Sequence, residues 1–360
     1  MTISTLNPSE LAVDRPASGL LGMAERGMLP DATLRMGIRR LCGQRLTQLH
    51  AGGLEARSRR QRALLTQLRR SPVALHTKAA NTQHYELPPA FFALCLGSHL
   101  KYSGCYYPKG TETLNQAEAA MLALYAERAE LADGQHILEL GCGWGSLTLW
   151  MAERYPRAHI TAVSNSRQQR EYIERACHER GLVNVEVITC DVNTLALPAA
   201  AYDRCISVEM FEHLRNYEDM MARIAHWLRP GGKLFVHIFT HREVAYPFET
   251  TGEDNWLGRH FFTGGLMPAA DTLLHFQSHL RIEDRWLLDG THYERTANHW
   301  LANQDFHRTE VDKVLVQAYG AELAPLWRQR WRMFWMSCAE LFGYADGQQW
   351  GVTHYRFVRS

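Results

Sequence analysis

VEMFEHLRNYEDMM, residues 208–221, crowds Glu209, Glu212, His213, Glu218 and Asp219 into one short stretch. Carboxylates beside an imidazole can hold a cation and move a proton when a fold aims them at one point. Position in the chain divides the set. Glu218 and Asp219 open a helical run, where acids favour the N-terminal dipole, and they read as helix-start residues. Glu209, Glu212 and His213 follow a strand-like run, DRCISV at 203–208, and strand ends are where α/β sheets bind ligands. Upstream, ELGCGWG at 139–145 places Glu139 before three alternating glycines, Gly141, Gly143 and Gly145. Glycine there lets the backbone approach a ligand closely, and the spacing is not that of a dinucleotide-binding loop.

The elements that must position these residues alternate. HILEL (136–140), HITAVS (159–164), VEVITC (185–190), DRCISV and KLFVHIF (233–239) read as strands. Between them lie helical runs; one is RQQREYIERACHERG, stopped by Gly181, and another, NYEDMMARIAHWL, ends at Pro230-Gly231. Such alternation predicts an α/β fold with a parallel, doubly wound sheet. Three segments follow: a helical extension over 1–112, a ligand-binding core over 113–240, and an aromatic lid insertion with closing strands over 241–360. The polar run at 81–89 suggests a break before the core, and QQWGVTHYRFVRS reads as an edge strand.

Charged residues make up 21% of the 360 and the net charge is +1, which argues against a nucleic-acid surface. The eight cysteines are scattered, without metal-ligand spacing, and the N-terminus lacks a hydrophobic signal core; a reduced, cytoplasmic protein without a metal is expected. Residues 31–75 read helical and hold ten arginines against Glu55 once past Asp31. The plain reading is a solvated or partner-packing face. The sharper one is peripheral contact with an anionic membrane, and a homodimer through these helices is left open.

The glycine loop resembles the ExGxGxG loop of S-adenosylmethionine-dependent methyltransferases. Over residues 80–360 the chain resembles the cyclopropane fatty acid synthase family, and most of all its coclaurine N-methyltransferase branch. The resemblance is carried by HYELPPAFF, LKYSGCYY, LELGCGWGSLTLW, SNSRQQ, YDRCISVEMFEH, FFTGG and AELFGY. PDATLRMGIRRL near the N-terminus is also similar to that branch. It implies a Rossmann-like class I methyltransferase core, with S-adenosylmethionine as cofactor and S-adenosylhomocysteine as product. It assigns the cofactor to Tyr102, Ser103, Glu139, Gly141, Gly143, Ser164, Asn165, Gln169, Asp191 and Val192. Glu139 would face the methionine ammonium. Ser164, Asn165 and Gln169 would meet the ribose hydroxyls with neutral groups, where most of the superfamily uses an acid.

The resemblance also separates two acceptors. Cyclopropane synthases hold a bicarbonate at positions that correspond to Gly104, Glu212, His237, Phe239 and Tyr293. Here Gly104 replaces a cysteine, with Cys105 one residue on, and Glu209 stands where the lipid enzymes carry glycine. An added carboxylate suits an amine, which is protonated near neutrality and cannot attack until it loses a proton. The expected activity is N-methylation of a small aromatic or cyclic amine. Glu209 and Glu212 would hold the ammonium, and His213, by its ordinary pKa near 6.5, would relay the proton. Trp256, Phe261, Phe262 and Trp331 would supply apolar walls and cation–π contact, against the plainer reading of core packing. Cys338 matches a cysteine of the lipid enzymes or is a buried thiol. The alternative activity is methylation of unsaturated phospholipid acyl chains.

Overall fold

The computed structural model describes residues 15–75, 87–252 and 255–360. The break expected at 81–89 and the HYE of HYELPPAFF lie mostly outside them. Seven strands form one sheet in the order β3-β2-β1-β4-β5-β9-β8. They are β1 His136–Leu140, β2 His159–Ser164, β3 Val185–Thr189, β4 Tyr202–Val208, β5 Leu228–His241, β8 Arg281–Leu288 and β9 Trp350–Val358. β1 to β5 pair in parallel, and β9 runs antiparallel to both β5 and β8. A short β6–β7 ribbon, Tyr246–Pro247 with Leu266–Met267, stands in the lid.

The strands are runs of apolar residues because helices cover both faces. On one side lies the helix Leu114–Arg128, started by a reciprocal Thr113–Gln116 capping box. On the other lies Tyr217–Trp227, whose N–H of Asp219 is capped by Asn216. Gly181, at φ 67°, ends Arg167–Arg180 as its sequence predicts. Two expectations are corrected. β5 begins at Leu228 and absorbs Pro230-Gly231-Gly232 as a bulge, since Leu228 pairs with Tyr202 and the register resumes at Lys233 opposite Arg204. The C-terminal strand β9 is not an edge: it lies between β5 and β8. Its polar residues suggested an edge, but they are bonded inside, His354 to His237 and Arg356 to Glu130 and Glu283.

The basic helices Asp31–His50 and Gly53–Arg70 pack against the rest of the chain. Arg35 and Arg39 pair with the buried Glu340, Arg57 with Glu243, and Arg69 with Glu218. Arg45 reaches Asn255, so the partner-packing reading accounts for much of the charge. No described helix is long and apolar enough to cross a membrane.

Candidate active site

A cleft opens at the carboxyl ends of β1, β2 and β4. Gly141, Gly143, Ser164, Asn165, Gln169, Cys190 and Val192 line it, together with Glu209, Met210, His213 and Leu214. Gly141 has φ 79°, and a Cβ there would meet the Met210 side chain at 2.8 Å. Gly143 has φ 52°, and its missing Cβ leaves open space. Both need a left-handed backbone that other residues adopt at a cost of about 1–2 kcal/mol. Ser164 donates to Oε1 of Gln169 at 2.6 Å, while the buried Nε2 of Gln169 has no partner. That orphaned donor on the cleft wall, beside a glycine cradle, fits a polyhydroxylated ligand such as the ribose of S-adenosylmethionine.

Glu139 is buried behind the loop with one bond, from Thr148 at 2.5 Å, and burial pushes its carboxyl up to about 8. A ligand ammonium is the kind of partner it lacks. Asp191 lies between two lining residues and caps the N–H of Asn193 at 2.8 Å. Tyr102 and Ser103 are not among the residues walling this cleft. Tyr102 packs on Phe92, and Ser103 accepts a bond from Lys101.

Glu209 sits one residue past β4, anchored by its N–H on the carbonyl of His237 at 2.9 Å. Its φ is 44°, a left-handed backbone that favours glycine. Three donors hold its carboxylate: the Gly104 N–H at 3.1 Å, His237 Nε2 at 3.1 Å and the Tyr293 hydroxyl at 2.7 Å. Gly104 makes this approach feasible, because a Cβ there would lie 3.0 Å from the Tyr293 ring. Cys105 points elsewhere, its N–H on Thr296, as the one-residue shift implies. Gly104, His237 and Tyr293, which the resemblance assigns to a bicarbonate, thus converge on the protein's own carboxylate. Phe239 lies by Phe262 and Phe342, the latter stacked on Tyr293.

Lys101 carries no signal in the sequence beyond its place in LKYSGCYY, yet it is buried under Gly104. Its Nζ donates to Ser103 Oγ and to the Gly104 carbonyl, both at 2.6 Å. Burial raises the Glu209 carboxyl, opposed by Lys101, by the Tyr293 hydroxyl and by the Gly104 N–H.

Glu212 and His213 share a 3-10 turn, Phe211–His213, in which successive side chains diverge by roughly 120°. His213 therefore faces the cleft, stacked on Phe262 at 6.3 Å, while Glu212 turns inward. Glu212 is 2% exposed and its Oε2 has no hydrogen-bond partner. Burial, then the Glu209 charge, push its carboxyl well above the usual range. His213 moves the other way, down to about 4, through burial and the Arg215 charge. The premise that His213 titrates near 6.5 is thereby corrected: the dry pocket disfavours the imidazolium.

Of the four aromatics named from the sequence, Phe262 lies against His213 and Phe239. Trp256 is locked by its indole N–H onto Glu25 at 2.8 Å. Phe261 stacks on Phe334 at 4.2 Å, and Trp331 is wholly buried among Phe91, Phe92 and Trp335. Those three pack the core, as the plainer reading has it. Cys338 is buried, its thiol raised by burial and by the Glu209 charge. Among the described residues no group of three or more His, Cys, Asp or Glu could hold a metal ion.

A sequence profile of the mycolic acid cyclopropane synthetase family matches residues 74–350. The chain belongs to this family. By fold and family it is an S-adenosylmethionine-dependent methyltransferase. Within the family it is 37% identical to the (S)-coclaurine N-methyltransferase of Thalictrum flavum subsp. glaucum, over 94% of this chain and 95% of that one. A crystal structure of coclaurine N-methyltransferase bound to N-methylheliamine and SAH superposes with a TM-score of 0.90. It is 36% identical and covers 94% of this chain and 98% of its own. The cyclopropane-fatty-acyl-phospholipid synthase of Escherichia coli (strain K12) is 28% identical over 77% of this chain and 68% of that protein.

Proposed function

We propose that this protein methylates the nitrogen of a small aromatic or cyclic amine, with S-adenosylmethionine as donor. The observation that carries the reading is Glu209: a carboxylate tethered in a glycine-like backbone and fixed by three donors at the wall of the cleft. A fixed anion suits an ammonium, and here it is a side chain of the protein at the place the resemblance gives to a bicarbonate. The relatives named for N-methylation support the same choice.

Gly141 and Gly143 would admit the cofactor's backbone-side approach, Glu139 would take its ammonium, and Ser164, Asn165 and Gln169 its ribose. Asp191 and Val192 would flank the adenine, with Tyr102 and Ser103 assigned by resemblance. S-adenosylmethionine brings, when bound, an electrophilic methyl group on a sulfonium. The protein's work is to hold and deprotonate the amine. Two carboxyls in one dry pocket share a proton, because both cannot ionise cheaply. Glu209, with its donors, is the ionised member and binds the ammonium; Glu212 is the protonated one. An arriving ammonium pairs with the ionised Glu209, while the buried Glu212 keeps its proton. The amine's own proton then passes to the glutamate pair, freeing the nitrogen lone pair for in-line attack. His213, kept neutral, faces the nitrogen as a hydrogen-bond acceptor, and Phe262 behind it offers a ring to the substrate.

The test is a panel of cyclic and aromatic amines and of unsaturated phospholipids, with S-adenosylhomocysteine release as readout. Turnover is expected with amines. Release with unsaturated lipids and with no amine would reverse the assignment in favour of acyl-chain methylation.

A further inference from the structure

Behind Glu209 a line of side chains runs sideways across the sheet, and the mechanism above does not use it. His237 on β5 and His354 on β9 are register partners. His237 Nε2 meets Glu209 at 3.1 Å, and its Nδ1 lies 2.8 Å from His354 Nε2. His354 Nδ1 is 2.7 Å from Arg128, at the end of the helix Leu114–Arg128. The guanidinium in turn lies over the Trp286 ring on β8, at 4.8 Å. Both imidazoles are wholly buried. Tyr125, one turn before Arg128, brings its hydroxyl to 3.0 Å from His237 Nδ1.

The chemistry of the two ends fixes every proton between them. A guanidinium only donates, so His354 Nδ1 must accept and its proton sits on Nε2. That N–H donates to His237 Nδ1, which places the His237 proton on Nε2, facing the carboxylate. The opposite arrangement would set two N–H groups against each other at Arg128 and a lone pair against Glu209. All bonds therefore point toward Glu209, and the line cannot carry a proton away, because its far end has nothing to accept one.

We infer that Arg128 and His354 are positioning residues, which lock the His237 tautomer so that His237 donates to Glu209 and holds it as an oriented, ionised anchor for the acceptor. This rests on the amine reading of Glu209. Partners that fix the tautomer of metal-ligating histidines are worth about ten- to a hundred-fold, and a loss at the lower end of that range is expected here.

Nitrogen-15 correlation spectra of the histidine-labelled, full-length protein, assigned by His237→Gln and His354→Gln, test the tautomers without any substrate. Both rings are expected as Nε2–H. Arg128→Leu at the half-exposed end is expected to mix the tautomers and lower kcat for an amine about ten-fold. Arg128→Lys, still a donor-only cation, should restore both, and cofactor affinity by calorimetry should stay unchanged throughout. A His237 ring protonated on Nδ1 in the wild type, or an Arg128→Leu protein with unaltered spectrum and kcat, would overturn the inference. A protein with the stated tautomers but no amine turnover would instead sink the functional reading alone.

Discussion

Glu209 pays for its place with backbone strain, and the return is a carboxylate no free anion could match for position. At φ 44° a non-glycine residue gives up about 1–2 kcal/mol, so Glu209→Gly relieves the backbone while vacating the three donors. Stability should fall by roughly 1–3 kcal/mol, since strain relief offsets only part of the cost of leaving three donors unpaired, and urea denaturation measures it. kcat/KM for an amine should fall roughly 30-fold or more, the loss of one charged contact of about 2 kcal/mol or greater. Because Gly104, His237 and Tyr293 remain, added formate or bicarbonate should recover part of the rate in Glu209→Gly and none in the wild type. The pH profile separates the bases. His213 is neutral above about 4, so it contributes no limb near 6.5. The acid limb of kcat/KM is expected from the glutamate pair, above the ordinary carboxylate range, since burial raises both members. A limb near 6.5 that vanishes in His213→Ala would return the base role to the histidine.

The elements show why some of this was legible in the chain and some was not. β1 and β2 match HILEL and HITAVS residue for residue, because a buried parallel strand writes itself as an apolar run. The glycine loop and the Glu209 group could be read because their chemistry is local. His354 could not, since its partners come from a distant strand and helix; the bonds of Lys101 to Ser103 and Gly104 are local, but its burial is set by the fold. Trp256 misleads for the same reason: its partner Glu25 lies 231 residues away. Glu25, fully buried, ties the helix Gly19–Glu25 to the lid through Trp256 and to the helix Ala324–Phe342 through Arg330 at 2.9 Å. Glu25→Leu leaves the buried Arg330 cation without that carboxylate. A loss of about 3–5 kcal/mol is expected, read as a lower Tm, and KM for the acceptor should rise as the lid loosens. Cofactor affinity, set at the other wall of the cleft, should hold. A Tm within a degree of wild type would show that the latch bears no weight.

Across the whole molecule, burial has set histidines and glutamates against each other. His213, His237, His241, His260, His292, His299 and His354 are all held below the usual imidazole range, chiefly by burial. Glu139, Glu209, Glu212 and Glu294 are held above theirs by the same cause. A lowered histidine contributes stability that is complete above the unfolded value near 6.5 and is lost as pH falls toward its folded value. A raised glutamate does the reverse: its contribution is complete below the unfolded value near 4.5 and is lost as pH rises through the folded one. Between 6.5 and 5 the unfolded chain therefore gains protons on the histidines that the folded one refuses, while the glutamates bind theirs only when folded. Toward pH 5 the seven histidines of the unfolded chain approach full protonation and outnumber the four glutamates, so unfolding there takes up protons and stability falls with acid. The Tm of the ligand-free protein is expected to fall as pH drops toward 5. Calorimetric scans across that window check it. A Tm that rises on acidification would mean that the glutamates outweigh the histidines, and the buried imidazoles would then have to be charged in the folded protein.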